Sequence, residues 1–419
     1  MTTGAERPAT VGDVLPPEER EYRRRTPASA RFFAEARAHL PGGDSRSTLF
    51  YRPYPAVFLR GQGSLLTDLD GNQLVDFTGN HSALVHGYGR REVLDAVRRQ
   101  LEAGTAFPGP TEPQLRLARI LTERVPSIER VRFTNSGTEA TLHALRAARR
   151  FTGRHRIARA EGGYHGALGE LMAPSHPDVL VLPFDDAGRA AARIEASAGE
   201  LAAVLVEPVQ GSAGMIPAGG EYLRSLREVT RRHGVLLVFD EVVSLRLAWG
   251  GAQEHFGVAP DLTVLGKLIG GGFPLGAFGG RADVMALFDP SQGGPALPHP
   301  GSYNANPMSL AAGAATLELL DRTAIARINR LGDTLRARLG EVFDGAGVPA
   351  RVTGLGSLFG MHPRPDETAA ELRRRIYLGL YNAGLLVDPR GVGTLSTAID
   401  EADVERFLDA AATVIGRLA

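Results

Sequence analysis

Lys267 stands in the stretch Leu265-Gly-Lys267-Leu-Ile-Gly270-Gly-Gly-Phe-Pro-Leu-Gly-Ala277, 27 positions after Asp240. Asp240 ends the apolar run Val235-Leu-Leu-Val-Phe-Asp240. A lysine in a glycine-rich turn reaches a bound carbonyl and condenses with it as a Schiff base. An aspartate at a strand end holds a heterocyclic ring nitrogen protonated. These are the two protein groups that pyridoxal phosphate chemistry needs most. Each has a plainer reading on its own: Lys267 as a surface lysine in a flexible loop, Asp240 as a strand-end Mg²⁺ ligand. The second loses ground because no G-x-x-x-x-G-K-[ST] phosphate loop occurs in the chain.

Three further motifs carry chemistry in the same region. Asn135-Ser136-Gly137-Thr138-Glu139 follows the run Val131-Arg-Phe-Thr134 and opens a helical pattern. Strand, short turn and helix N-terminus form an anion site, because free N–H groups and the positive helix end converge there. Ser136 and Thr138 add hydroxyls; the same residues also read as an N-cap box, Ser136 with Glu139 three later. Gly162-Gly-Tyr164-His165-Gly166 is a glycine-flanked aromatic pair whose small neighbours admit a flat heterocycle, or simply a packed loop. Glu207 ends the apolar run Ala202-Ala-Val-Leu-Val, where an unpaired buried carboxylate is costly; a neighbouring arginine is the alternative account. The acid, the lysine, the phosphate-type turn and the aromatic pair all fall in one stretch, which makes independent coincidence improbable.

The elements that must position these groups read as an α/β fold. Strand-like runs at 131–134, 179–182, 202–207 and 235–242 are punctuated by helical patterns, one carrying Tyr222, Leu223, Leu226 and Val229 at 3.6-residue spacing. This predicts a mainly parallel central sheet with helices on both faces. Ligands of such sheets bind beyond the carboxyl ends of the strands, so Glu207 and Asp240 are expected in one cleft. Residues 1–28 read as a loose arm with a short, thin-faced helix over Glu18–Arg25. A helical stretch after Asn306-Pro leads into a C-terminal unit.

Composition sets the outer limits. The chain has 419 residues, 43% hydrophobic and 22% charged, as in ordinary globular proteins. Lys plus Arg and Asp plus Glu number 47 each, so charge gives no reason to expect nucleic acid or an anionic membrane as a partner. The absence of cysteine excludes disulfides, thiolate metal sites and cysteine nucleophiles. Met1–Arg25 has no apolar signal core, and no uncharged run approaches the ~18 residues of a membrane span. A cytoplasmic protein is expected.

Together these segments resemble the class III aminotransferases of the fold type I pyridoxal phosphate enzymes, from about residue 28 onward. Gly250-Gly-Ala-Gln and Pro260-Asp-Leu-Thr-Val-Leu-Gly-Lys267 resemble the glutamate-1-semialdehyde aminomutase branch. Pro41-Gly-Gly-Asp-Ser-Arg46-Ser-Thr-Leu-Phe-Tyr51, Arg132-Phe-Thr-Asn-Ser-Gly-Thr-Glu-Ala140, Gly279-Gly-Arg-Ala-Asp-Val-Met-Ala-Leu-Phe-Asp-Pro290 and Pro389-Arg390-Gly are closer to the β-phenylalanine aminotransferases. The resemblance implies an N-terminal segment (1–75) packing with a small α+β domain (311–419) beside a large cofactor domain (76–310). It implies that Lys267 carries pyridoxal 5'-phosphate as a Schiff base and Asp240 pairs with the ring nitrogen. Val242 and Tyr164 would sandwich the ring, with His165 and Glu207 beside it, and Ser136, Gly137 and Thr138 would hold the phosphate. Gly301-Ser302 matches a Gly-Thr that reaches the partner's phosphate, implying a homodimer with shared sites.

Arg46 and Arg390 are the substrate-side candidates, since an arginine fork binds a carboxylate at two points; surface charge is the alternative. The loop Phe77-Thr-Gly-Asn-His81-Ser-Ala-Leu84 departs from both relatives, and His81 reads either as a substrate-facing group or as a loop histidine. The aminomutases carry a glutamate near 390–392; this chain has Pro-Arg390-Gly-Val, which favours two-substrate transamination. The expected activity is ping-pong transfer from an amino donor, a β-amino acid favoured, to a keto acid such as 2-oxoglutarate or pyruvate. The alternatives are a 2,1-aminomutase, an epimerase or decarboxylase on the same fold, and a phosphate-binding regulatory module without catalysis.

Overall fold

The computed structural model describes residues 15–173, 175–291, 293–363 and 368–418. Its centre is a seven-stranded sheet. The strands lie in the spatial order Arg130–Thr134, Gly276–Gly280, Leu262–Leu265, Leu236–Asp240, Leu201–Val206, Arg156–Ala160 and Val179–Leu182. Gly276–Gly280 runs antiparallel to both its neighbours, and the other four pairings are parallel. The predicted strands are present. The sequence reading passed over Arg156–Ala160, Leu262–Leu265 and the glycine-rich Gly276–Gly280.

Residues alternate between two cores along each buried strand. Ala203, Leu205, Leu236 and Val238 pack with Ala140, Ala144 and Ala148 of the helix Gly137–Thr152. Val204, Val206, Leu237 and Phe239 pack on the opposite face with Leu223, Leu226 and Val229 of the helix Gly220–Arg232. Because both faces are covered, these strands read as continuous apolar runs rather than alternating ones. Alanines on the first helix let it lie close to the sheet, which brings its N-terminus to the strand ends.

A separate core joins the two ends of the chain. Tyr22, Phe33, Tyr54 and Leu74 pack with Leu335, Phe359, Tyr381 and Phe407. The expected loose arm is corrected here, although its first half, residues 1–14, lies outside the described residues. Pro17–Arg25 is a helix with Tyr22 fully buried against Tyr54 and Tyr381. Glu18 pairs with Arg375 at 3.0 Å, and Glu19 pairs with Arg374 at 2.5 Å. The helix read as thin-faced because one aromatic supplies its apolar contact. Its charged residues find partners on the helix Ala369–Asn382, some 350 positions away, which local periodicity does not report.

Candidate active site

The carboxyl end of Leu236–Asp240 and the N-terminus of Gly137–Thr152 border one cavity of about 160 Å³. Gly137, Thr138, Tyr164, His165, Glu207, Asp240, Val242 and Lys267 all line it, so eight of the residues singled out in the sequence converge. Asp240 is buried. Its Oδ2 lies 2.9 Å from His165 Nδ1, and its Oδ1 accepts from the Val242 N–H at 3.1 Å. His165 is also buried, and its Nε2 has no hydrogen-bond partner among the described residues.

Glu207 accepts from the N–H of Tyr164 at 2.8 Å and of Gly211 at 3.1 Å. Its carboxylate therefore holds the aromatic loop, and among the described residues no arginine forms an ion pair with it. Burial pushes the Glu207 carboxyl up to about 7; the nearby Asp240 charge adds to the rise, while His165 opposes it. Val242 presses its methyl groups toward Gly137 and Gly266, where a Cβ would stand 3.1 and 3.4 Å from them. A Cβ at Gly166 would fall 2.3 Å from the Thr138 hydroxyl, so only glycine admits this approach of the aromatic loop to the turn. Tyr164 itself is 44% exposed.

Both readings of Ser136 meet in one place. Its hydroxyl caps the helix by accepting from the Glu139 N–H at 3.2 Å, while Gly137 and Thr138 face the cavity. The leading N–H groups of a helix lack intrahelical acceptors, so the turn still presents donors to an anion.

Lys267 begins a single 3₁₀ turn after Leu262–Leu265, with φ of 48°. A lysine in the left-handed region is strained by about 1–2 kcal/mol, a cost that active sites hold through the surrounding structure. Desolvation lowers the Lys267 pKa; Asp240 and Glu207 oppose the shift, and Arg390 adds to it. The amine is thereby biased toward its neutral, nucleophilic form.

In front of Lys267 a second space of about 310 Å³ is lined by Tyr164, His81, Arg390 and Asp388, among others. Arg390 is the one substrate candidate facing Lys267 with a guanidinium. It is already engaged: Nε and Nη2 donate to the two oxygens of Asp388 at 2.8 and 2.9 Å. This fork holds Asp388 well below the usual carboxylate range despite its burial. Asp388 was passed over in the sequence; the signal was an acid two positions before the arginine in Val387-Asp-Pro-Arg390.

Arg46 is exposed, donates to Asn80 Oδ1 at 3.0 Å, and lines a different cavity of about 350 Å³. The two substrate-side candidates therefore stand in adjoining spaces. His81 sits between them, Nδ1 3.2 Å from Asp388 Oδ2. The residues 79–82 wind left-handed, with φ of 51°, 49°, 55° and 71°. Asp76 anchors this turn by accepting from the N–H of Thr78 at 2.7 Å and of Gly79 at 3.1 Å, and from the Tyr88 hydroxyl at 2.8 Å. Ser302 lies on an exposed turn and is absent from the walls of these three cavities.

Comparison with known proteins identifies the family. The family model for aminotransferase class-III matches residues 50–400. The chain is 43% identical to the β-phenylalanine transaminase of Variovorax paradoxus, covering 97% of both chains. It is 37% identical to a glutamate-1-semialdehyde 2,1-aminomutase of Methanothermobacter thermautotrophicus, over 93% of this chain and 99% of that one. The crystal structure of an omega-transaminase from Sphaerobacter thermophilus superposes with a TM-score of 0.89 at 43% identity, covering 93% of this chain and 97% of that one. The strand-end acid, the lysine turn and the helix N-terminus thus occur in a chain that belongs to the class III aminotransferases, the pyridoxal phosphate enzymes that pass an amino group from an amino donor to a keto acid.

Proposed function

We propose that the enzyme takes its amino group from a β-amino acid and delivers it to 2-oxoglutarate or pyruvate, working as a homodimer in the cytoplasm. The observation that carries the site assignment is the convergence of Lys267, the His165–Asp240 pair and the helix N-terminus on one small cavity. These residues fit pyridoxal 5'-phosphate: a cationic ring edge suits the buried Asp240 carboxylate, a phosphate suits the N–H groups at Gly137 and Thr138, and an aldehyde suits the Lys267 amine. When bound, the cofactor supplies an electron sink and a carrier for the amino group.

The residues divide the work accordingly. Asp240 would keep a proton at the ring nitrogen, and His165 Nδ1 at Oδ2 with the Val242 N–H at Oδ1 fixes the orientation of its carboxylate. Val242 and Tyr164, which both line the cavity, would flank the ring, while Glu207 holds the Tyr164 loop in place. Ser136 caps the helix whose end receives the phosphate. Lys267 Nζ would hold the cofactor's aldehyde carbon, and as a free amine it would serve as the base that takes a proton from the donor carbon. Arg390 serves carboxylates placed near Lys267, and Arg46 those placed farther away. Reach of this second kind suits an acid whose carboxylate is one carbon removed from the amine-bearing centre, and the Variovorax relative, named for β-phenylalanine, supports it. Ser302, exposed and away from the cavity, is free to reach a partner's phosphate, which supports the dimer.

The test is a panel of α- and β-amino donors with each keto acid, run on the wild type and on Lys267→Ala. Turnover with β-amino donors that vanishes, with the near-visible cofactor band, in Lys267→Ala is the expected result. Complete conversion of a single amino substrate without keto acid would instead establish an isomerase.

A further inference from the structure

Arg246 is the largest fully buried side chain among the described residues, 1% exposed. No carboxylate among them offsets its charge, and desolvation pushes the guanidinium down to about 9. Its Nε donates to Ser357 Oγ at 2.9 Å, and its Nη2 donates to the Leu395 carbonyl. A buried charge held by neutral acceptors is costly. Even buried ion pairs are often replaced by apolar side chains of similar volume without loss of stability. Arg246 lines none of the three cavities described above, so it meets neither cofactor nor substrate directly. Stability and direct binding both leave its place unexplained.

Its position joins two walls of the site. Arg246 lies in the turn Ser244–Leu247, just beyond Asp240 and Val242 of the cofactor cavity. Leu395 follows the strand Val392–Thr394, whose three residues line the space in front of Lys267 together with Arg390. That strand is an edge, paired antiparallel with Leu358–Pro363. Ser357 stands just before the partner strand, and its carbonyl accepts from the Leu395 N–H at 2.9 Å. Arg246 therefore grips both strands at the same end. Asn329 also ties Ser357 to the turn, accepting from the Ser357 N–H at 3.0 Å and donating to the Leu247 carbonyl at 2.8 Å. Arg246 extends that tie to the strand that faces the substrate space. A planar guanidinium fixes the directions of its donors, so it selects one seating of the strand pair on the turn.

We propose that Arg246 is a positioning residue for substrate binding: it seats the strand Val392–Thr394, and with it the Arg390 fork, on the turn that follows Asp240. The proposal rests on the transaminase chemistry of the family and is independent of which donor is used. The buried charge costs folding free energy and holds the wall of the substrate space at a fixed separation from the cofactor cavity.

The test measures kcat and KM of the holoenzyme for the fastest donor and keto acid of the wild-type panel above, so a failure of the β-amino acid reading changes the substrates and leaves this test standing. Arg246→Met keeps an extended side chain and removes the charge and both donors. It is expected to raise KM for donor and keto acid on the order of tenfold while kcat and the near-visible cofactor band stay within about twofold, because the groups around Lys267 are untouched. Arg246→Lys, a point charge in place of the fork, is expected to recover part of that rise. Ser357→Ala removes one acceptor, leaves the cation in place, and is expected to raise KM in the same direction by a smaller factor. An unchanged KM in Arg246→Met, or a fall in kcat with KM unchanged, overturns the proposal. If Arg246→Met does not fold, Ser357→Ala decides: a raised KM with kcat retained supports the positioning role, and an unchanged KM overturns it.

Discussion

The cofactor cavity and the space in front of it are built in opposite ways. Around Lys267 and Asp240, each group sits at the end of a regular element: a strand terminus, a helix N-terminus, the turn after a strand. Around Arg46, His81 and Arg390, the groups come from irregular segments some 300 residues apart, joined by an ion pair and a left-handed turn. The first arrangement is fixed by main-chain hydrogen bonding, the second by side chains holding one another. The first should accordingly lose function sharply when a single group is altered, and the second should retune.

The largest effect that would break this contrast is at Asp240. Asp240→Asn is expected to cost about 3 kcal/mol or more in the barrier, two or more orders of magnitude in kcat, because a preorganised charge at the ring is lost. A change below tenfold would place ring protonation outside the residue's role. Glu207 tests the same cavity through pH. Its folded pKa of about 7 lies above the ordinary glutamate value of 4.5, so between those limits the folded state binds the extra proton. Stability from this group is therefore full below about pH 4.5, falls as pH rises to about 7, and is level beyond. Melting curves of the cofactor-free protein should show a smaller decline across that window in Glu207→Gln than in the wild type, and an equal decline would mean that Glu207 is not proton-bound.

On the substrate side, Asp388 is the resident occupant of the Arg390 fork. Asp388→Asn is expected to lower KM for 2-oxoglutarate severalfold, about 1 kcal/mol, because a competing charge is removed from the guanidinium. A raised KM would show that Asp388 positions the fork rather than competing for it. The smallest effect belongs to the helix cap. Ser136→Ala should destabilise the cofactor-free protein by about 1 kcal/mol in denaturant titration. A larger loss would show that the hydroxyl supports more than the Glu139 N–H.

The same division explains what could be read from the residues alone. Lys267, Asp240, Glu207 and Ser136–Thr138 were legible because strand ends and helix starts have local signatures: apolar runs that stop at an acid, glycines that follow, a cap box. Gly276–Gly280 escaped because a strand of small residues has no hydrophobic period, and its partners on both sides reveal it. Arg46 and Arg390 were read as substrate-side candidates, but their separation by His81 depends on a backbone turn in which three consecutive residues with side chains, Asn80, His81 and Ser82, are left-handed, a run that single-residue preferences do not predict. Asp388 was missed because its meaning lies in which side chains reach it. The anchoring of Tyr22 followed the same rule, since its partners stand at the far end of the chain.

The reversed strand Gly276–Gly280 has one more consequence. It pairs on one edge with Leu262–Leu265, which leads into Lys267, and on the other with Arg130–Thr134, which leads into Ser136. A Cβ at Gly276 would strike the Ser136 carbonyl at 2.1 Å, so this strand can carry the turn only while it stays bare. The separation between amine and anion pocket is therefore a ruler cut in peptide units: Ala277 is level with Leu265 on one side and with Phe133 on the other. Side chains across the molecule can be exchanged without changing its length. The loops that carry Arg46, His81 and Arg390 lie outside this gauge.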